Sequence, residues 1–165
     1  MALKTVYLAF GSNLGNRRQN LDRACELLEA AQIHLVKRSS IYETEPRDVS
    51  TQPWFLNMAA ACETRYFPLQ LLTILQRIER ELGRSRGAAS VPRGPRTIDI
   101  DILLFQNIVM ETPQLTIPHP RMLDRRFVLE PLAEIAPHLR HPKTKELLIR
   151  YLSRVSNQKV RRAEK

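Results

Sequence analysis

Apolar residues along this chain recur at two spacings, and the switches between them mark out the elements. "TVYLAFGS", Thr5 to Ser12, reads as a first strand, and Gly11, Gly15 and Asn16 then supply a turn and an N-cap. Leu21, Ala24, Cys25 and Leu28 fall at helical spacing, which predicts an amphipathic helix from about Arg17 to Ala31. A second strand is expected from about His34 to Tyr42. The polar, Pro-bounded loop "ETEPRDVSTQP" follows it. In the third strand, "WFLNMAAACET", alternation puts Trp54, Leu56, Met58, Ala60 and Cys62 on a core face and leaves Phe55 and Asn57 side by side on the other. Pro68 opens a second helix, Leu71, Leu75, Ile78 and Leu82 form its stripe, and Gly83 ends it. An Arg/Gly-rich loop leads into the strand of "GPRTIDIDILLF". A hairpin through Gln106 and Asn107 and the segment "QLTIPHP" come next, then short closing helices at Phe127–Ala136 and Lys145–Leu152. The order βαββαβ predicts an α+β, ferredoxin-like sandwich with an extra hairpin and C-terminal helices. Its main helices should cover one face of a mainly antiparallel sheet and leave the other face free for ligand.

Composition narrows the classes. A chain of 165 residues is expected to form one domain, 1–165, and its 43% hydrophobic and 26% charged content suits an ordinary globular fold. No run of about 18 apolar residues could span a membrane. "MALKTVYLAFGSN" carries no secretory cleavage signal, so a cytoplasmic protein is expected. Cys25 on a helical stripe and Cys62 on a strand face read as two buried thiols. The net charge of +9 lies partly in a basic tail, about 153–165, expected to be solvated and frayed. The rest is concentrated in Arg77, Arg80, Arg84, Arg86, Arg93 and Arg96, ahead of the acidic strand. Guanidinium forks match phosphate oxygens, which implies a polyanionic ligand, nucleotide or nucleic acid.

The acidic strand carries the chemistry. Alternation sends Ile98, Ile100, Ile102 and Leu104 to one face and Asp99, Asp101, Leu103 and Phe105 to the other. The two carboxylates then sit on Cα atoms about 6.6 Å apart among apolar neighbours, an arrangement that asks for a cation. A lone D-x-D is as often a solvated face as a metal site. Here it follows an Arg-rich Gly loop and neighbours an aromatic–amide pair, Phe55 and Asn57, suited to stacking a flat heterocycle and reading its edge. Carboxylates and phosphate co-ligands point to Mg²⁺, and phosphoryl transfer asks mainly for positioning and charge neutralisation. "GSNLGNRR" is not a P-loop, so ATP would be held by arginines and metal.

The blocks "FGSNLGNR", "QPWFLNMA", "RIERELGR", "GPRTIDIDILLF" and "IPHPRMLDRRFVLEPLAEIAP", in this order over Val6 to about Pro137, resemble the 6-hydroxymethyl-7,8-dihydropterin pyrophosphokinases of folate biosynthesis. The resemblance implies a ferredoxin-like monomer that moves the β,γ-pyrophosphoryl group of ATP to the pterin hydroxymethyl oxygen with two Mg²⁺ ions, releasing AMP. It implies Asp99 and Asp101 as metal ligands and catalytic residues together with Arg84 and Arg96. Thr44, Pro46, Phe55, Asn57 and Phe127 match pterin-binding positions. Gln76, Glu79, Arg84, Arg86, Ile102, Thr116, His119 and Arg125 match positions at or near the nucleotide. His34, His138 and His141 keep no assigned role. The sequence departs from the family in having Arg93 where a Trp is usual, Pro92 where an Arg is usual, Glu45 where Pro is frequent and Gly87 where a basic residue is common. No nucleic-acid or membrane partner is expected. Two rival classes share some of these features: a ferredoxin-like RNA-binding module, which would want an RNP1-like aromatic run where the acids stand, and a metal-dependent nuclease, which would not need the Asn57 amide.

Overall fold

The computed structural model describes residues 2–45, 53–83 and 96–163. Its elements are β1 (Lys4–Ser12), α1 (Arg17–Ala30), β2 (His34–Arg38), β3 (Tyr42–Thr44), β4 (Phe55–Thr64), α2 (Pro68–Gly83), β5 (Asp99–Phe105), β6 (Met110–Glu111), β7 (Thr116–Ile117), α3 (Arg126–Ile135) and β8 (Val160–Arg162). Single 3₁₀ segments lie at Met122–Asp124 and Leu148–Val155. The main sheet runs β5–β1–β4–β3–β8, with β2 also on β4, and every pairing is antiparallel. This is the ferredoxin-like order: β4 and β5, the strands before and after α2, pair on either side of β1.

Local chemistry explains the turns. At the start of α1 the Asn16 side chain accepts a 3.1 Å hydrogen bond from the Gln19 amide, satisfying one of the helix's open donors. Gly15, just before it, takes φ 73°, a conformation that disfavours any side chain.

The main core lies between the sheet and helices α1 and α2. Val6, Leu8 and Phe10 of β1 and Leu56, Met58, Ala60 and Cys62 of β4 meet Leu21, Ala24, Cys25 and Leu28 of α1 and Leu71, Leu75 and Ile78 of α2. Each large aliphatic side chain buried here contributes about 1.5–3 kcal/mol. Both cysteines are free and buried, and burial pushes the Cys62 thiol up to about 12.

Several expectations change. The single second strand is two, β2 and β3, which meet different halves of β4. The turn at Gln106 and Asn107 does not return a partner to β5; β6 pairs with β7 instead. The Lys145–Leu152 helix is the 3₁₀ segment Leu148–Val155. Trp54 is only half-buried and lies outside the core cluster; its ring sits under the Arg161 guanidinium, 4.6 Å from the ring centroid. The tail does not fray as expected, because 160–162 form β8 on β3.

The sheet's second face is not wholly free either. Val128, Leu129, Leu132 and Ile135 of α3 pack with Leu148, Tyr151 and Val155 onto Ala59, Leu103 and Leu104. Ala59, with Ala9 and Ala61 beside it, leaves the room a helix needs to approach. The register of β5 supplies the rest: Leu8 pairs with Ile102 but Tyr7 pairs with Leu104, so Leu103 is an extra residue in a bulge. Beyond the bulge the alternation inverts. Phe105 joins Ile100 and Ile102 in the main core, and Leu104 joins Leu103 in the second. No helix among the described residues is long and apolar enough to cross a membrane.

Candidate functional site

The pairing register aligns the candidate residues in rows. Asp99, Gly11, Asn57 and Tyr42 lie opposite one another across β5, β1, β4 and β3, and Asp101, Ala9 and Ala59 form the next row. Residues opposite one another in antiparallel strands project to the same face. Both acids and the Asn57 amide therefore share the face that α3 covers only in part. Gly11 suits this row: a Cβ there would stand 3.2 Å from Asn57 Oδ1 and 3.6 Å from Phe55 Cδ1 and would press on the amide. The buried Asn57 Nδ2 donates to the buried Thr44 Oγ1 at 2.7 Å, which fixes the amide plane beside the Phe55 ring.

At the other end of the row the negative charge is under-compensated. Burial pushes the Asp99 carboxyl up to about 6, the Arg96 guanidinium opposes this, and Asp101 adds to it. The Arg96 Nη1 to Asp99 Oδ1 separation is 3.8 Å, too long for a tight pair. Glu79, reaching from α2, accepts the Ile100 amide of edge strand β5 at 2.8 Å. Burial pushes this carboxyl up to about 7, with Asp99 and Asp101 raising it further. Two carboxyls held above their ordinary range, Asp99 and Glu79, with the Asp101 charge beside them, suit a bound cation. Among the described residues no group of three or more His, Cys, Asp or Glu side chains could hold a metal alone. The donor set of two carboxylates fits Mg²⁺, which takes one or two and completes its octahedron with substrate oxygens and water.

The nucleotide-side candidates surround the acids unevenly. The His119 amide donates to the Leu103 carbonyl at 2.9 Å, and His119 Nδ1 accepts the Arg121 amide at 3.1 Å. Burial lowers the His119 pKa; Asp101 opposes this, and the Arg125 and Arg121 charges reinforce it. The Arg125 guanidinium lies 5.5 Å from the centroid of the Phe127 ring at the start of α3. Thr116 is half-buried in β7, and Gln76 is exposed on α2 one turn before Glu79. Ile102 turns its side chain into the main core, so only its backbone could meet a ligand. Pro46, Arg84 and Arg86 lie outside the described residues, as do Arg93 and most of the Arg loop.

One residue was missed. Asn13 reads in sequence only as part of a turn, yet it is fully buried just past the end of β1. Its Oδ1 accepts the Arg96 amide at 2.6 Å, its backbone amide donates to the Arg96 carbonyl at 2.9 Å, and its Nδ2 donates to the Pro53 carbonyl at 3.2 Å. It thereby fixes Arg96 and the approach to β4 against the end of β1. The available signal was an amide directly after an apolar strand, too common a pattern to single out.

Comparison with known proteins adds an independent line. The family model "7,8-dihydro-6-hydroxymethylpterin-pyrophosphokinase (HPPK)" matches residues 7–137. The chain is 49% identical over 140 residues to the 2-amino-4-hydroxy-6-hydroxymethyldihydropteridine pyrophosphokinase of Bacillus subtilis, covering 84% of this chain and 82% of that protein. It is 40% identical over 159 residues to the folic acid synthesis protein fol1 of Schizosaccharomyces pombe, covering 96% of this chain but only 21% of that one. Among solved structures it is similar to wild-type Plasmodium falciparum HPPK-DHPS with pterin and p-hydroxybenzoate, at TM-score 0.72 and 18% identity, over 93% of this chain and 43% of that chain. At that identity the likeness establishes the fold.

Proposed function

This chain belongs to the 7,8-dihydro-6-hydroxymethylpterin pyrophosphokinase family and is a pyrophosphokinase of folate biosynthesis; from that premise we propose how its residues divide the work. The pterin lies against Phe55 and Phe127 with its edge at Asn57 and Thr44, and the ATP triphosphate lies over Asp99 and Asp101. The observation that carries this is the single sheet row holding Asp99, Gly11 and Asn57: it sets a charge-seeking carboxylate and an oriented amide on one face, with only a glycine between them.

In this reading Asp99 and Asp101 would hold Mg²⁺, two ions by family resemblance, which when bound would supply positive charge against the phosphates. Asn57, oriented by Thr44, holds the pterin so that its hydroxymethyl oxygen faces the β-phosphorus. Arg96, His119 and Arg125 steady the polyphosphate. The pterin hydroxymethyl oxygen forms the new bond to the β-phosphorus and gives up its proton to water, as the bond from the β-phosphorus to the α,β-bridging oxygen breaks; that oxygen keeps the electron pair and leaves on AMP. Glu79 keeps edge strand β5 in place through the Ile100 amide and so places both acids. Gln76, Thr116 and the Ile102 backbone are assigned to the nucleotide side.

ATP and 6-hydroxymethyl-7,8-dihydropterin are thus the proposed partners of a cytoplasmic monomer, with neither nucleic acid nor membrane. Two cores packed on one sheet support a single domain. The RNA-binding reading draws no support, since carboxylates occupy the face on which RNA would stack, and the nuclease reading leaves the Thr44-oriented Asn57 amide without a use. The test is formation of AMP from ATP: it should require Mg²⁺ and 6-hydroxymethyl-7,8-dihydropterin together, and AMP release without the pterin would overturn the proposal.

A further inference from the structure

The last described residues tie together the two elements that carry the proposed pterin walls. Gln158 Oε1 accepts the amide of Arg126, the first residue of α3, at 2.9 Å, and Gln158 Nε2 donates to the Asp124 carbonyl at 2.7 Å. Arg126 Nη1 returns a 2.8 Å hydrogen bond to the Gln158 carbonyl. One side chain thus anchors the stretch Asp124–Arg126 on which Arg125 and Phe127 sit. Two residues later the chain becomes β8. Val160 pairs with Thr44, Arg161 with Glu43 and Arg162 with Tyr42, and the Ala163 amide donates to the Ile41 carbonyl at 2.8 Å. Arg161 adds a two-pronged contact to Glu43 Oε2, 2.8 and 3.2 Å, and lays its guanidinium over the Trp54 ring next to Phe55. Arg162 reaches the Tyr42 hydroxyl and Glu134 Oε1, both at 3.3 Å.

We propose that the C-terminal segment Gln158–Ala163 is a positioning strap for the pterin subsite, holding the α3 wall that carries Phe127 in register with the β3–β4 wall that carries Thr44, Phe55 and Asn57. β3 is only three residues long, and without β8 it would be an edge of the sheet with few contacts to hold it. Its Thr44 fixes the Asn57 amide, so a shift of β3 would turn the group assigned to read the pterin edge. Two aromatic faces can sandwich a ring only at a defined separation, and small misplacements of a bound reactant are costly in rate. Gln158, Arg161 and Arg162 touch no proposed reacting atom; they act through Phe127, Thr44 and Asn57.

The inference rests on the pterin-subsite reading above, and its test separates the two. Gln158→Ala, Arg161→Ala and the double variant are compared with the parent for pterin affinity by fluorescence titration in the presence of Mg²⁺ and a non-hydrolysable ATP analogue. KM for each substrate and thermal stability are measured alongside. Each single variant should weaken pterin binding by about threefold to tenfold, a loss of roughly one polar contact's worth of alignment. The KM for ATP should stay within about twofold of the parent, and Arg161→Lys should recover part of the loss by keeping the charge opposite Glu43. A lower melting temperature with pterin affinity unchanged would make the tail merely structural, and equal losses for both substrates would likewise overturn the proposal. Phe127→Ala and Asn57→Ala in the same titration test the subsite itself: if they leave pterin affinity intact, the subsite reading falls, and with it the premise of the strap.

Discussion

Asp99, proposed as a metal ligand, costs the ligand-free fold stability. Its carboxyl titrates at about 6 in the folded chain, against an ordinary 3.8. A pKa raised on folding means stability that is fully present below the unfolded value and is lost as pH rises through the folded value, here between about pH 4 and 6. The full shift corresponds to about 3 kcal/mol, but a side chain 39% exposed is screened by water, and about 1 kcal/mol is a fairer figure. Asp99→Asn should therefore raise the melting temperature of the ligand-free protein at pH 7.5 by roughly 2–4 °C, with the gain shrinking toward pH 4, as scanning calorimetry would show. On the proposed role, turnover of the same variant should fall by orders of magnitude, because a charge assigned to hold the metal is gone. Asn13 behaves oppositely. Asn13→Ala leaves the part-buried Arg96 amide and the exposed Pro53 carbonyl without their Asn13 partners, so stability should fall by about 1–2 kcal/mol in urea unfolding, and turnover should fall as well as Arg96 loses its anchor. The paired acids and the Asn57 amide stand out as candidates from residue type and spacing. Asn13 could not, because its partners are 40 and 83 positions away in sequence.

At the scale of elements, long periodic segments were legible and short ones were not. α1, α2, β1 and β4 each carry a full apolar stripe or alternation that only one period fits, and they occur close to where it puts them. β3 and β8 are three residues apiece, and each exists because its neighbour supplies hydrogen-bonding partners that no local pattern encodes. The bulge at Leu103 is a similar case: strict alternation would send Phe105 toward the acids, whereas the extra residue carries it into the core. Glu134 shows what joins α3 to the sheet. Its carboxylate accepts the Ser40 amide at 2.9 Å, the Ser40 hydroxyl at 3.1 Å and the Tyr42 hydroxyl at 2.6 Å. Glu134→Ala should cost about 2 kcal/mol, lowering the melting temperature by roughly 4–8 °C, while Tyr42→Phe, which removes one of these bonds, should cost about half as much. A thermal melt of both variants beside the parent checks the ratio; equal costs would mean that Tyr42 holds α3 by itself.

For the molecule as a whole, folding and ligand binding should be linked through the acidic row. Mg²⁺ with a non-hydrolysable ATP analogue at about a hundred times its dissociation constant should stabilise the parent by about 2.7 kcal/mol, and Asp101→Asn should retain only a small part of that rise in a thermal-shift assay. A full rise in the variant would remove Asp101 from the metal site. The sequence by itself determined the fold class, the two-helix core and the strands on which the acids and the amide stand, because each is written in residue type at a spacing set by helix or strand geometry. Only the tertiary structure decided that Asp99, Gly11 and Asn57 form one row, that α3 closes part of the ligand face, and that a tail carrying basic charge is a strand rather than a solvated end. Those outcomes depend on register and on contacts between residues far apart in the chain, where a one-residue slip reverses every side chain and no short window of sequence records which partner is chosen.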